Sequence, residues 1–67
     1  MKRYTLIDNQ TKQVYKNSIR LKDLYETLNR SKSSVYGTIW RIEQGRFNNI
    51  RDVNGKSYTL IIKNCDK

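Results

Sequence analysis

The sequence predicts an α+β fold, with two short helices in mid-chain flanked by an N-terminal and a C-terminal β-hairpin. Three observations predict it. Apolar residues recur at helical spacing from Leu21 to Ile42, in two blocks broken at Asn29-Arg30-Ser31. Runs rich in Tyr, Thr, Val and Ile lie before and after those blocks. An Asn54-Gly55 pair divides the last run, and such a pair between strand-like segments is a strong short-range hairpin marker.

The first hairpin is expected over residues 3–7 and 13–16. Tyr4, Thr5, Leu6 and Ile7 favour extended backbone, and Val14 and Tyr15 do so again. Between them Asp8-Asn9-Gln10-Thr11-Lys12 is polar, with an Asp and an Asn suited to turning. Asn17 and Ser18 can then cap a helix, which runs to about Leu28. Its stripe is Leu21, Leu24, Tyr25 and Leu28, at i, i+3, i+4 and i+7. Asn29 tolerates the left-handed conformation that ends helices, and Arg30 completes the turn.

Ser31 is the N-cap candidate of a second helix over residues 31–44, with Ser33 and Ser34 in its first turn. Val35, Ile39 and Ile42 define its buried stripe, Tyr36, Trp40 and Glu43 an adjacent face, and Gly45 its stop. Trp40 suits a small core as well as it suits an interface. Gly37 costs about 1 kcal/mol relative to Ala inside a helix, which suggests a close approach there by DNA backbone or by another element. The last hairpin is expected to pair residues 50–53 with 56–62 through a type I′ turn, which needs positive φ at both Asn54 and Gly55. The two hairpins can join into one small sheet that backs the helices.

Sixty-seven residues make one small domain, 1–67, with a thin core. A mean hydropathy of −0.90 is lean, but the apolar residues fall into periodic groups, unlike those of a disordered chain. No apolar run approaches the roughly 18 residues of a membrane span, and Asp8, Asn9 and Gln10 cut the N-terminal run too short for a signal peptide. The lone Cys65 cannot form an internal disulfide and reads as a tail thiol, which fits a reducing cytoplasm. With no histidine, a Cys/His zinc site and a His-based triad are both excluded within one chain. Asp23 and Glu26 make an i, i+3 pair, and the other acids are scattered, so the chain reads as a non-enzyme without metal or cofactor.

The net charge of +8 calls for an anionic partner. Its distribution is uneven. Residues 19–29, the first helix, balance two basic residues against two acids. Residues 30–46 set Arg30, Lys32, Arg41 and Arg46 against Glu43 alone. A neutral supporting helix beside a basic one is the division expected of a pair whose second helix faces a polyanion.

A helix–turn–helix needs apolar residues where its helices meet and a turn that permits a sharp angle. Leu24, Leu28, Val35 and Ile39 fill the four packing places, Asn29 takes the turn position where Gly is commonest, and Ser31 opens the next helix. In this spacing the chain resembles small phage repressors, Cro-like or excisionase-like. The run Leu24 to Ile39 also resembles the helix–turn–helix modules attached to homing endonucleases. In those a segment of the type Tyr-x-x-x-Asp…Val-Tyr precedes the helices, as Tyr4 to Tyr15 does here. The resemblance spans residues 4–42, and the appended hairpin makes the arrangement winged-helix-like. Tyr25 departs from the small residue usual at the helix crossing, and Arg30 from the buried Val or Ile usual in the turn.

The resemblance implies a non-enzymatic, cytoplasmic DNA-binding protein of phage or mobile-element type, a transcriptional regulator or architectural factor. Helix 31–44 would read double-stranded DNA in the major groove with its N-terminal residues nearest the bases. Lys32 could read guanine O6 and N7. Ser33 and Ser34 could bond bases or phosphates, and Tyr36 a thymine methyl or a phosphate; Gly37 and Trp40 share that surface. Arg30, Arg41 and Arg46, with Arg51 and Lys56 in the wing, would neutralise phosphates. The plain alternative for each cation is a solvated surface charge, and for Ser31 a cap alone. A homodimer would add a second half-site, using a strand edge after Ile62. A different class of function is a phage protein that inhibits a host protein through its basic face. RNA stacking on Tyr4, Tyr15 or Tyr58 is a weaker third reading, and binding at a membrane surface the weakest.

Overall fold

The structure is a computed structural model that describes residues 2–64; the tail thiol expected at Cys65 lies outside them. Strand β1 (Lys2–Asp8) sits inside a four-stranded antiparallel sheet. It pairs on one side with β2 (Val14–Ile19) and on the other with β4 (Ser57–Asn64), which in turn pairs with β3 (Asn49–Arg51). The order β2-β1-β4-β3 joins the two hairpins through β1 and β4, in unbroken register from Lys2↔Asn64 to Asp8↔Tyr58. The single joined sheet expected from the sequence is therefore present. Because β4 is an inner strand, the last hairpin is part of the sheet and does not stand apart from it.

Period-two alternation puts Tyr4 and Leu6 of β1, Tyr58 and Leu60 of β4 and Ile50 of β3 on one face. Helices α1 (Leu21–Leu28) and α2 (Lys32–Glu43) cover that face with Leu24, Leu28, Val35 and Ile39. These nine residues form the core. Leu21, Tyr25 and Ile42 line its rim, with Ile19 and Ile62 from the sheet. The four packing places read from the sequence are all buried in it.

Both helices stop in the same way. Asn29 adopts the left-handed conformation (φ 54°), and the Arg30 N–H donates to the Tyr25 carbonyl at 3.1 Å. Gly45 does likewise (φ 80°), with the Arg46 N–H on the Arg41 carbonyl at 3.4 Å. The turn between the helices is then fastened to the last hairpin. The Val53 N–H donates to the Leu28 carbonyl at 3.0 Å, and Arg30 Nη1 donates to the Arg51 carbonyl at 3.0 Å.

Several local expectations are corrected. Asn17 and Ser18 do not cap α1; both belong to β2, and Arg20 precedes the helix without a side-chain cap bond. Their polar groups are used across the sheet. The buried Thr5 hydroxyl donates to Asn17 Oδ1 at 3.2 Å and accepts the Ser18 N–H at 3.1 Å. Ser18 is at φ 55° beside register shifts between β1 and β2, a bulge that redirects the chain toward the helix. The helix expected from 17–18 thus starts at Leu21, and β2 runs on to Ile19. The strand expected over 50–53 ends at Arg51, because Val53 turns its N–H to α1. The type I′ turn is also replaced. Gly55 has φ 86° but Asn54 is not in the left-handed region. Asp52 Oδ1 accepts both the Asn54 and the Lys56 N–H at 2.9 Å, and the Gly55 N–H closes on the Asp52 carbonyl at 3.0 Å. One carboxylate has organised a longer loop.

Asp8 organises the first turn in the same manner, accepting the Gln10 N–H at 2.8 Å. It is 8 % exposed and also accepts from Lys56 Nζ at 2.9 Å. The Lys56 bond, helped by the backbone N–H groups of Gln10 and Thr11, holds its carboxyl below the usual carboxylate range.

Two outcomes follow for stability. Truncating the fully buried Leu6 (Leu6→Ala) removes the centre of the core and should cost about 2–5 kcal/mol in denaturant unfolding. A folded carboxyl with a lowered pKa stabilises the fold above its unfolded value, about 3.9, and that contribution is lost as pH falls through the lower folded value. Asp8→Asn should therefore melt below the parent protein at pH 6, and the gap should close as both are taken below about pH 4.

Candidate nucleic-acid interface

With 100° between successive residues, the buried Val35 and Ile39 and the partly buried Ile42 define one side of α2. Ser33, Gly37, Trp40 and Gln44 fall opposite, flanked by Lys32 and Tyr36 on one side and Ser34 and Arg41 on the other. The serine start signal works as expected, since Ser31 Oγ accepts the Ser34 N–H at 3.3 Å. It fixes the first turn and so the direction in which Lys32 and Ser33 project.

Tyr36 is 46 % and Trp40 57 % exposed, so Trp40 belongs to the surface and not to the core. Lys32 Nζ lies 5.4 Å from the Tyr36 ring centroid, one turn along, which gathers a cation and an aromatic at the start of the helix. Gly37 lies between these residues, and a Cβ placed on it meets nothing within 4 Å. No described element approaches it, so none of the described residues needs that space. The one acid of α2, Glu43, accepts from Lys2 Nζ, a bond that raises the lysine pKa and sets the carboxylate toward the start of β1. Lys32 and Arg41 stand on opposite edges of the outward side, and Glu43 falls on the edge of Lys32 and Tyr36 at the far end of the helix.

The remaining candidates are placed differently. Arg46 is exposed just past the end of α2. Arg30 is half-buried in the turn, and its Nη1 donates to the Arg51 carbonyl. Lys56 does not join the α2 face; it is paired with Asp8, and its Nζ lies 5.7 Å from the Tyr58 ring. Tyr4 and Tyr58 are buried on the helix side of the sheet, and Tyr15 stacks on Tyr58 at 5.3 Å, so the sheet offers no open platform of three tyrosines for RNA bases.

Sequence reasoning missed Phe47. It is 41 % exposed and lines a shallow groove beside α2 with Arg30, Thr38, Asn49, Ile50 and Arg51. A single aromatic in the polar stretch from Gly45 to Asn49 belongs to no stripe or alternation, and that isolation was the available signal. No helix of the described residues is long and apolar enough to cross a membrane. In comparisons with known proteins, no family model, curated protein or solved structure matches the chain.

Space around Gly37 makes its replacement informative. Gly37→Ala should raise the free energy of unfolding by up to about 1 kcal/mol, because a good helix former enters without a clash. A thermal melt that shows destabilisation instead would mean that the helix backbone here is not as described.

Proposed function

We propose that the protein binds double-stranded DNA as a helix–turn–helix protein of phage or mobile-element type, a cytoplasmic transcriptional regulator or architectural factor. The observation that carries this reading is the outward face of α2. Ser33, Tyr36, Trp40 and Arg41 stand exposed around a glycine whose helical cost nothing among the described residues offsets, and Lys32 stands exposed at the start of the helix. A polyanion whose backbone comes close to Gly37 accounts for all of them together. The major groove admits a helix of this kind, and its N-terminal end would meet base edges through Lys32 and Ser33. Tyr36 and Trp40 would take apolar contacts with thymine methyls or sugars, and Arg41 and Arg46 phosphates. The burial of Leu24, Leu28, Val35 and Ile39 in one core supports the helix–turn–helix reading of the pair.

A second copy would add a second half-site. Past Leu60, β4 has a described strand partner only in β1, which leaves a short edge for such pairing. The reading as an inhibitor of a host protein is favoured by one observation. Exposed Trp and Tyr beside an Arg are also what protein-binding hot spots are made of.

The two are separated by gel shift and Trp40 fluorescence on selected and random duplexes at about 50 mM salt, where basic DNA-binding proteins bind readily. Binding that quenches Trp40, and that Lys32→Gln with Arg41→Gln abolishes or reduces tenfold or more, is the expected result. Loss of the Lys32 base contact alone should cost about 1–3 kcal/mol and relax preference at one position. Absence of binding at that salt would remove DNA as the partner, and binding that survives the double change would remove α2 from the groove.

A further inference from the structure

We propose that the open face of the sheet, turned away from the helices, docks an acidic amphipathic helix of a partner protein. Alternation along the strands assigns the side chains of this face. Lys2 reaches Glu43 of α2, and Tyr4, Leu6, Leu60 and Ile50 are buried under the helices. Arg3, Ile7, Ile61, Lys63 and Arg51 therefore project on the far side. The amide of Asn9 agrees, donating to Ser57 Oγ at 2.8 Å and to Asn49 Oδ1 at 3.3 Å, both of that same alternation. The Arg51 side chain thus stands across the sheet from α2, which corrects its place among the phosphate contacts expected from the sequence.

The face has the anatomy of a protein interface, an apolar centre inside a charged rim. Val14 stands directly opposite Ile7, and Ile61 lies diagonally across from Ile7 on β4. Val14 is 56 % and Ile61 38 % exposed. From Val14 to Ile61 the stripe crosses two strand spacings and two residues, about 12 Å in all. That is the reach of about two helical turns. Arg3 and Lys63 face each other directly across β1 and β4, where like charges destabilise a sheet. No carboxylate of the described residues offsets them. Asp8 and Glu43 bond lysines on the helix side, Asp52 holds backbone N–H groups, and Asp23 and Glu26 lie on α1. A partner's acids would remove that repulsion. A second copy laid face to face would not, because it brings the same cations together under a net charge of +8. A sugar–phosphate backbone would meet the cations but lay hydrated anions over the apolar centre. A helix with apolar residues at i, i+3, i+4 and i+7 and acids beside them satisfies both.

The probe is a synthetic helical peptide with Leu at those positions and Glu and Ala at the others, titrated into the full chain beside a scrambled peptide of the same composition. The methyl signals of Ile7, Val14 and Ile61 should shift in NMR spectra. Trp40 emission should stay unchanged, since that ring is exposed on the outward side of α2. Arg3→Gln with Lys63→Gln should weaken the peptide about fivefold or more and flatten its salt dependence. The same double variant should melt no lower than the parent, because a like-charge pair has been removed. Ile61→Thr should weaken the peptide with its salt dependence kept. If Ile61→Thr unfolds, the methyl shifts of the parent protein decide the matter without it. Equal binding of the scrambled peptide would overturn the helix as occupant. So would methyls that stay unmoved at about 1 mM peptide, where a complex of millimolar affinity is about half formed. The same methyls shifting with a random duplex or with phosphatidylserine vesicles, and not with the peptide, would overturn it in favour of that anion. DNA binding through α2 is read separately, by Trp40 quenching, and can fail without touching this outcome.

Discussion

Everything in this molecule depends on the pairing of β1 with β4. A two-stranded hairpin is marginal by itself in water, and this chain has one at each end. Joining them edge to edge sets Leu6 opposite Leu60 and Tyr4 opposite Ile62, and so makes an apolar floor broad enough to carry two helices. Neither α1 nor α2 is long enough to be stable alone. Each buries its apolar residues in the core shared with that floor. The ion pair between Asp8 and Lys56 joins the far end of β1 to the start of β4, and the bond from Lys2 to Glu43 joins its near end to α2.

The floor also decides where α2 points. The turn between the helices is held at two atoms by the last hairpin, through the Leu28 carbonyl and the Arg30 guanidinium. These bonds show how Arg30 and Tyr25 fit at the junction of the two helices. Arg30 does not need to be apolar when its head group finds a carbonyl on β3. Tyr25 is accommodated at the rim of the core, while Leu24, Leu28, Val35 and Ile39 carry the burial beside the sheet.

What could be read from the sequence was what short stretches of chain decide for themselves. Asn29, Ser31 and Gly45 each act within a few residues, and each stands where its chemistry puts it. The polar first turn built on Asp8 was legible for the same reason. What could not be read depended on partners distant in the chain. Asn17 and Ser18 carry capping side chains, yet Thr5 engages them across the sheet. Asn54-Gly55 has the composition of a tight turn, yet the Asp52 carboxylate and the pull of Leu28 on Val53 stretch the loop. The buried stripe of α2 was legible, because helical spacing fixes which residues share a side with Val35 and Ile39. The side taken by Trp40 was not, because a single aromatic fits a core or a surface equally well. Phe47 could be placed only once β3 and the helix turn stood beside it.

The irregular β2 has a bearing on solubility. A net charge of +8 keeps copies of this protein apart in solution, and any polyanion that neutralises that charge brings them together at high local concentration. Open sheet edges then become templates for runaway strand addition. One outer strand here is bent by bulges and by Ser18, and the other is three residues long. What remains open is the short reach of β4 past Leu60. A pairing across that reach, related by a two-fold axis, would use the same edge on both copies and so close after two. With one outer strand bent and the other three residues long, the sheet offers little straight edge for strand addition.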